Sequence, residues 1–354
     1  MNKIGIIIVN YKDYAKRFLA DCIDSLRKQE GENLDWQLYI IDNSSSPETL
    51  EYLKKQAPEA KIIPRSDGNY SAANKIGIEQ AIKDGCEYFI IANMDVIFYK
   101  NWLSELVKAV NSNEKIGIAQ SKIMLWPEKD KINSIGNIIH FLGFGFTQGY
   151  KEKETKKLIE IKETKEINGY ASGCSMIIKR EVIEEIGNYN PEYYMYHDDV
   201  ELGWRAKLAG YKIALAPKSI VYHKYEFNRS VCMLYYMERN RYIAIFSFYK
   251  LPTILLTLPP LIIMDIGMLA YSIINGWFST KLKIYLYFLQ LKSWQHIFQA
   301  RRQVKKFRQV SDRVIIKNIV GTIDHQEIMN PVLKYMVNPV FNLYWKFVRL
   351  FIWW

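Results

Sequence analysis

Short continuous apolar runs alternate with stretches of helical periodicity along the first third of the chain. Residues 4–9 are an unbroken, mostly β-branched run, the pattern of a strand covered on both faces, and Asn10-Tyr11 ends it. Phe18, Leu19, Cys22, Ile23 and Leu26 then recur at helical spacing, which predicts a helix over 14–28. The same reading gives strands at 36–41, 61–64 and 116–120, and helices at 47–55, 70–83 and 102–110. Phe89-Ile90-Ile91-Ala92 is a further buried strand, and Asn93-Met94-Asp95-Val96 carries it to a turn that presents Asp95. Strands alternating with helices predict a parallel, doubly wound α/β sheet, which binds ligands at the C-terminal ends of its strands.

The pattern then loosens. Residues 121–168 hold Trp126-Pro127, a glycine-punctuated Phe141 to Phe146 and a mixed-charge run at 151–165. They read as an excursion over the sheet edge, either a lid or a solvated hairpin. Gly169 to Ile178 is a small-residue approach to an apolar run, and small residues let the backbone come close to a ligand. Residues 180–186 predict a short helix stopped by Gly187. Asp198, Asp199 and Glu201 crowd the start of the next helix; one acid suffices for capping, and the surplus points to chemistry.

Beyond residue 250 the character changes. Residues 251–274 are almost wholly apolar and long enough to cross a bilayer, but Pro252, Pro259-Pro260 and Asp265 interrupt them. A broken, re-entrant or interfacial helical hairpin is therefore expected in preference to a single span. Residues 281–308 predict one amphipathic helix ending in Arg301, Arg302, Lys305, Lys306 and Arg308, and 338–354 mix aromatic residues with Lys346 and Arg349. Such segments suit a membrane interface, or else a helical subdomain packed on the sheet or forming a dimer.

Charge sharpens this division. Residues 276–354 carry 13 basic and 3 acidic side chains, +10 of the formal +11 over 354 residues. A basic tail interleaved with Trp, Phe, Tyr and Leu fits an anionic membrane surface and not nucleic acid. Cys22, Cys86, Cys174 and Cys232 form no Cys-x-x-Cys pair, so no zinc site or disulfide framework is indicated, and a reducing compartment fits. The first residues run almost directly into a strand without a signal-peptide core, so the catalytic part is expected at the cytoplasmic face.

Three loops at strand ends carry candidate chemistry: Asn10-Tyr11, Asp42-Asn43-Ser44 and Asp67 to Ser71. Asp42 either accepts hydrogen bonds from a base or ribose, or caps the following helix. Asn69 follows a glycine in a tight turn, and Asn tolerates left-handed geometry. Asp95 at its strand end can hold a hard cation, which can hold a diphosphate. No dinucleotide glycine fingerprint or phosphate-loop lysine occurs in these loops. A nucleotidyltransferase would need a basic, Gly-rich phosphate loop after Val9, which is absent.

Val9-Asn10-Tyr11, Ile41-Asp42-Asn43-Ser44, Asp67 to Tyr70 with Asn74 and Gly77, Asn93-Met94-Asp95, Gly173, and Asp198-Asp199-Val200-Glu201-Leu202 with Arg205 occur in that order. The ordered set resembles family 2 glycosyltransferases of the GT-A fold, in their rhamnosyltransferase-like branch, over about residues 3–245. The resemblance implies a glycosyltransferase domain at 1–245 and a helical region for membrane association or oligomerisation at 246–354. It implies donor contacts from Asn10, Asp42, Asn69, Asn93 and Arg205, and a divalent metal, Mg2+ or Mn2+, on Asp95 with His223. Asp199 would be the general base of an inverting transfer, with Asp198 beside it raising its pKa by like-charge repulsion. His223 has a second reading as a packing residue, and Arg239 as either a phosphate contact or a surface anchor. A nucleotide-sugar donor, with dTDP-rhamnose the branch example, and a lipid-linked glycan acceptor are the implied partners. Asn93 in the first metal-motif position leaves one carboxylate there and opens the alternative of a non-catalytic, membrane-associated scaffold. The absence of Gln-x-x-Arg-Trp separates the chain from processive synthases.

Overall fold

The structure, a computed structural model, describes residues 3–31, 34–155, 163–226, 234–324 and 331–354. Cys232 and part of the mixed-charge run lie outside these residues. The chain divides into two units, the first made of residues 1–137, 147–206 and 211–225, the second of 138–146, 207–210 and 226–354.

In the first unit the apolar runs become strands. β1 (Ile4–Asn10) is buried along its whole length, so each isoleucine contributes about 2–3 kcal/mol of burial, which accounts for its place at the middle of the sheet. The other strands in chain order are β2 (Trp36–Asp42), β3 (Lys61–Pro64), β4 (Tyr88–Ala92), β5 (Val96–Phe98), β6 (Ile116–Leu125), β7 (Ile132–Ser134), β8 (Asn137–Ile139), β9 (Gly145–Thr147), β10 (Lys165–Glu166), β11 (Ser175–Lys179) and β12 (Lys212–His223), of which β8 and β9 fall mostly in the second unit. The main sheet runs β10-β12-β6-β11-β4-β1-β2-β3, with β5 pairing β12 and β7 pairing β6, while β8 and β9 form a separate hairpin. β1 pairs parallel with β2 and with β4, and β2 with β3, so the chain reverses its direction of travel across the sheet at β1. That is the switch point at which ligands bind in such sheets. β11 departs from the parallel pattern, running antiparallel between β4 and β6.

The helices are α1 (Tyr14–Arg27), α2 (Pro47–Gln56), α3 (Tyr70–Lys83), α4 (Trp102–Asn111), α5 (Arg180–Ile186) and α6 (Asp198–Leu208). Ile4, Ile6 and Ile8 of β1 pack in one core with Leu19, Ile23 and Leu26 of α1 and with Leu103 and Leu106 of α4. Ile7 points the other way, toward α3. A Cβ on Gly77 would stand 2.5 Å from Ile7 Cγ2, so a glycine is what lets α3 settle on the sheet. β6 is twice the predicted length. Its polar Ser121 and Lys122 are buried, Ser121 against the hydroxyls of Ser175 and Ser219, Lys122 paired with Glu154.

The second unit is helical: α7 (Leu234–Phe248), α8 (Leu251–Ile274), α9 (Phe278–Leu289), α10 (Leu291–Phe307) and, after a four-residue turn of helix, α11 (Asn338–Val348). Three expectations change here. Residues 234–245 belong with the helices, because buried Arg241 and Lys281 share the carboxylate of Glu238, and Lys281 also reaches Asp265 at 2.5 Å. The predicted break at Pro259-Pro260 does not occur. Pro260 cannot donate to the carbonyl of Leu256, and the Tyr344 hydroxyl donates to that carbonyl instead, at 2.7 Å. The hairpin turns at Asn275-Gly276, where Gly276 has a φ of 76°. Finally, 281–308 is two helices meeting at Gln290, and two of its terminal arginines face inward. Arg301 donates to the carbonyls of Phe246 and Tyr249, and Arg308 to that of Phe248, so both close the C-terminal end of α7.

Candidate active site

Strand register assembles the site. Asn10 is paired with Asp42 across β1 and β2, and Ile8 with Ala92 across β1 and β4, so Asn10, Asp42 and the Asn93-Met94-Asp95 turn leave the sheet along one edge. Asn10 is wholly buried. Its Nδ2 donates to Asp42 Oδ1 at 2.8 Å and its Oδ1 accepts from the amide of Ala15 at 2.9 Å, fixing the start of α1. The other oxygen of Asp42, Oδ2, is buried without a hydrogen-bond partner among the described residues, as is Oδ1 of Asn43. An unmet buried acceptor costs about 1–3 kcal/mol, which fits a ligand donor there. Helix capping is not Asp42's task, since Ser46 accepts from Thr49 N at the head of α2.

At the end of β4, Met94 is buried and its neighbours are functional in aspect. The Asn93 amide donates to the Cys174 carbonyl at 3.0 Å, and the Tyr70 hydroxyl donates to Asn93 Oδ1 at 3.4 Å. Antiparallel pairing of β5 with β12 sets His223 opposite Val96, and His223 Nε2 lies 3.2 Å from Asp95 Oδ1. Asn133 Oδ1 holds the other ring nitrogen at 2.9 Å. Burial opposes charge on this imidazole, but the Cys174 sulfur and the Asp95 carboxylate hold its pKa well above the ordinary value. Among the described residues no group of three or more His, Cys, Asp or Glu side chains converges as a cation site. One carboxylate and one imidazole nevertheless fit a divalent ion whose remaining positions are filled by phosphate and water oxygens.

The acidic segment lies at the head of α6. Asp199 Oδ1 accepts from the amide of Val200 at 2.8 Å. Desolvation pushes the Asp199 carboxyl up to about 6, against the pull of the Val200 and Gly173 amides. Asp198 is raised well above the usual carboxylate range, first by burial and then by the charge of Asp199. Tyr70, Tyr170 and Tyr189 are likewise raised, by burial and by these two acids. The approach to the acids is strained: Tyr194, Tyr196 and His197 have φ of 61°, 60° and 59°. Each costs about 1–3 kcal/mol for a non-glycine residue, a pattern concentrated at functional sites.

Two predicted donor contacts have other work. Arg205 is buried, forks onto both oxygens of Glu201 at 2.7 and 2.6 Å, and donates to the carbonyls of Ile186, Gly187 and Asn188, so its guanidinium anchors the loop ahead of the acids. Asn69 is not left-handed, with φ of −78°. Its Oδ1 caps α3 through Ala72 N, and its Nδ2 donates to the Pro191 carbonyl; the left-handed residue is Gly68. Sequence reasoning gave no role to Tyr70, Asn133 or Tyr194. Tyr70 was visible at the end of a candidate loop; Asn133, in the irregular stretch, carried no signal.

A mixed sheet with its carboxylates along one edge beyond a switch at β1 is GT-A in class. The solved structure of GalNAc-T7 with UDP, GalNAc and Mn2+ shares this fold, with a TM-score of 0.54 at 18% identity over 68% of this chain and 48% of that one. The sequence profile described as Glycosyl transferase family 2 matches residues 5–187, and the chain belongs to that family. Among curated relatives, the O-antigen biosynthesis protein RfbC of Myxococcus xanthus is 27% identical over 222 residues, 61% of this chain and 17% of that protein. The low-salt glycan biosynthesis hexosyltransferase Agl10 of Haloferax volcanii is 24% identical over 71% of this chain and 78% of its own. The O-antigen chain rhamnosyltransferase WbaN of Salmonella anatum is 24% identical over 56% of this chain and 60% of its own. The chain thus spans less than two thirds of two of these three relatives.

Proposed function

We propose that the protein transfers one or a few sugars non-processively, with inversion, from a nucleotide-diphosphate donor such as dTDP-rhamnose to a lipid-linked glycan at the cytoplasmic face of a membrane. The observation that carries this reading is the shared strand edge, with buried Asp42 and its unmet oxygen followed by the Asp95–His223 pair, together with a raised Asp199 whose charge acts on Tyr70, the hydroxyl that donates to Asn93. Asn10 and Asp42 would hold the base or ribose, with Asp42 accepting from its donors. Asp95 and His223 would hold Mg2+ or Mn2+, which when bound neutralises charge on the departing diphosphate. Asp199 would take the proton of the acceptor hydroxyl; a carboxylate with a pKa near 6 is mostly ionised at neutral pH and still basic enough to serve. Asp198 is pushed in the same direction, first by burial and then by the charge of Asp199, and the Tyr70 hydroxyl that donates to Asn93 feels the charge of both acids.

Membrane association is supported by the second unit. α8 is the one helix among the described residues long and apolar enough to cross a bilayer, and most of it is exposed, including Leu251, Leu255, Ile262, Ile263 and Ile266. Phe347, Leu350 and Trp353 are exposed near the C-terminus, and Arg302, Lys305 and Lys306 are exposed on α10. Apolar rows with nearby cations suit peripheral seating in a headgroup layer. Purified protein is expected to hydrolyse one nucleotide sugar from a panel when Mn2+ is present, and to float with anionic vesicles. Full transfer by Asp199→Asn would overturn the catalytic reading, and no vesicle binding the membrane one.

A further inference from the structure

Residues 191–197 run directly into Asp198 and Asp199, and part of what holds them lies outside the segment. Their backbone carries three left-handed non-glycine residues, and such a conformation persists only where surrounding contacts impose it. Three contacts tie it to the loop at 67–71. Asn69 Nδ2 donates to the Pro191 carbonyl at 2.9 Å, the amide of Ser71 donates to the Tyr194 carbonyl at 3.0 Å, and the Tyr194 hydroxyl donates to the Asp67 carbonyl at 3.0 Å. A Cβ on Gly68 would stand 2.8 Å from the Tyr194 hydroxyl oxygen and 3.3 Å from the Tyr11 ring, so the left-handed glycine is also what lets Tyr194 reach across.

The loop is in turn tied to the nucleotide side of the site. The Arg65 amide donates to the Asp42 carbonyl at 2.8 Å, the Arg65 guanidinium pairs with Asp67 at 2.5 Å, and Asp67 Oδ1 accepts from the Asn69 amide at 3.1 Å. A continuous hydrogen-bonded path therefore leads from Asp42 through Arg65, Asp67 and Asn69 to the strained segment that delivers Asp199. We infer that Asn69 and Tyr194 are positioning residues: they latch residues 191–197 to the 67–71 loop and so fix the carboxylate of Asp199 against the donor side of the site. The inference rests on the reading of Asp199 as the base, but the latch itself can be read without catalysis.

Two conservative variants of the full chain separate the latch from folding. Asn69→Asp keeps the oxygen that caps α3 and removes the N–H donated to Pro191. Tyr194→Phe keeps the ring and removes the hydroxyl. Hydrogen–deuterium exchange should show the Ser71 amide and residues 194–201 opening about tenfold faster or more in both variants, with melting temperatures within about 2 °C of wild type. With whichever of UDP-glucose, UDP-N-acetylglucosamine, GDP-mannose or dTDP-rhamnose is cleaved, kcat should fall about tenfold or more while the donor KM stays within about twofold. Wild-type exchange over 194–201 in both variants, or faster exchange with an unchanged kcat, overturns the inference. An Asp199→Asn protein that transfers sugar normally overturns the reading beneath it instead, and the exchange measurement still reports whether the latch exists.

Discussion

His223 Nε2 stands 3.2 Å from Asp95 Oδ1, brought there by the pairing of two strands that lie more than a hundred residues apart in sequence. Burial opposes charge on the imidazole, but the Cys174 sulfur and the Asp95 carboxylate hold its pKa well above the ordinary value, so it tends to keep its proton. A divalent ion competes with that proton, so Mn2+ affinity should rise with pH. Titration of the protein with Mn2+ and UDP should show the increase. His223→Ala should weaken Mn2+ binding about 100-fold or more, and Asn133→Ala, which frees the outer ring nitrogen, about 10-fold.

Asp199 offers a test in pH. Its carboxyl is raised from 3.8 to about 6, chiefly by desolvation, so the folded protein favours the protonated form. Stability from this group is present below the unfolded pKa and is lost as pH rises toward 6, by up to about 3 kcal/mol. Asp199→Asn should therefore gain thermal stability relative to wild type at pH 8 and show little difference at pH 4. In wild type, kcat/KM should fall on the acid side with an apparent pKa near 6, as the base is protonated. An acid limb near 4 would contradict the role given to this carboxylate.

Asp42 is a buried acid with one unpartnered oxygen. Asn10 occupies Oδ1, and Oδ2 has no described partner. A charge-assisted hydrogen bond to a ligand is worth about 1.5–3 kcal/mol, so Asp42→Ala should weaken UDP or dTDP binding about 10- to 100-fold by calorimetry. Asp42→Asn keeps an acceptor for Asn10 and should lose less.

What the sequence disclosed and what it hid follow from the range of the interactions. β1, β2 and β4 were legible because a strand covered on both faces must be apolar throughout, and their ends brought Asn10, Asp42 and Asp95 with them. The second half of β6 was hidden because Ser121 and Lys122 look like loop residues until Ser175, Ser219 and Glu154 arrive from 54, 98 and 32 positions away. Asn69 reads as a left-handed residue although it caps α3, and the four-residue spacing of Glu201 and Arg205 lay in the sequence unread. Their use as anchors depended on Pro191 and on the Ile186 to Asn188 carbonyls, which periodicity does not reveal. The prolines of α8 were misleading for the same reason: the partner that mends the helix comes from α11.

That repair can be measured by a double-mutant cycle. Tyr344→Phe removes the hydroxyl that donates to the Leu256 carbonyl and should cost about 1 kcal/mol in urea unfolding of the second unit's transition. Pro260→Ala restores the amide whose ordinary helical partner is that same carbonyl. In the Pro260→Ala background the Tyr344→Phe change should cost markedly less, because the carbonyl then has a partner within its own helix. Equal costs in the two backgrounds would mean that the hydroxyl acts elsewhere and that the helix tolerates its prolines unaided.

Lys281 gives the largest expected loss. It is wholly buried, and its ammonium bridges Glu238 at 2.9 Å and Asp265 at 2.5 Å, while Arg241 forks onto Glu238 and donates to the Leu142 carbonyl. Lys281→Met fills a similar volume but leaves two carboxylates sharing one buried cation, a loss of about 3–5 kcal/mol by analogy with other broken buried pairs. Lys281→Met combined with Asp265→Asn removes one charge of each sign and should recover a good part of it. The comparison bears on the membrane as well as on folding. α8 exposes an apolar surface while carrying an acid at residue 265, and Lys281, together with the Tyr242 and Tyr285 hydroxyls, satisfies that acid within the protein, as seating on the proposed membrane would require. Lys281→Met should accordingly weaken flotation with anionic vesicles even where the first unit still binds nucleotide, and the double variant should restore it.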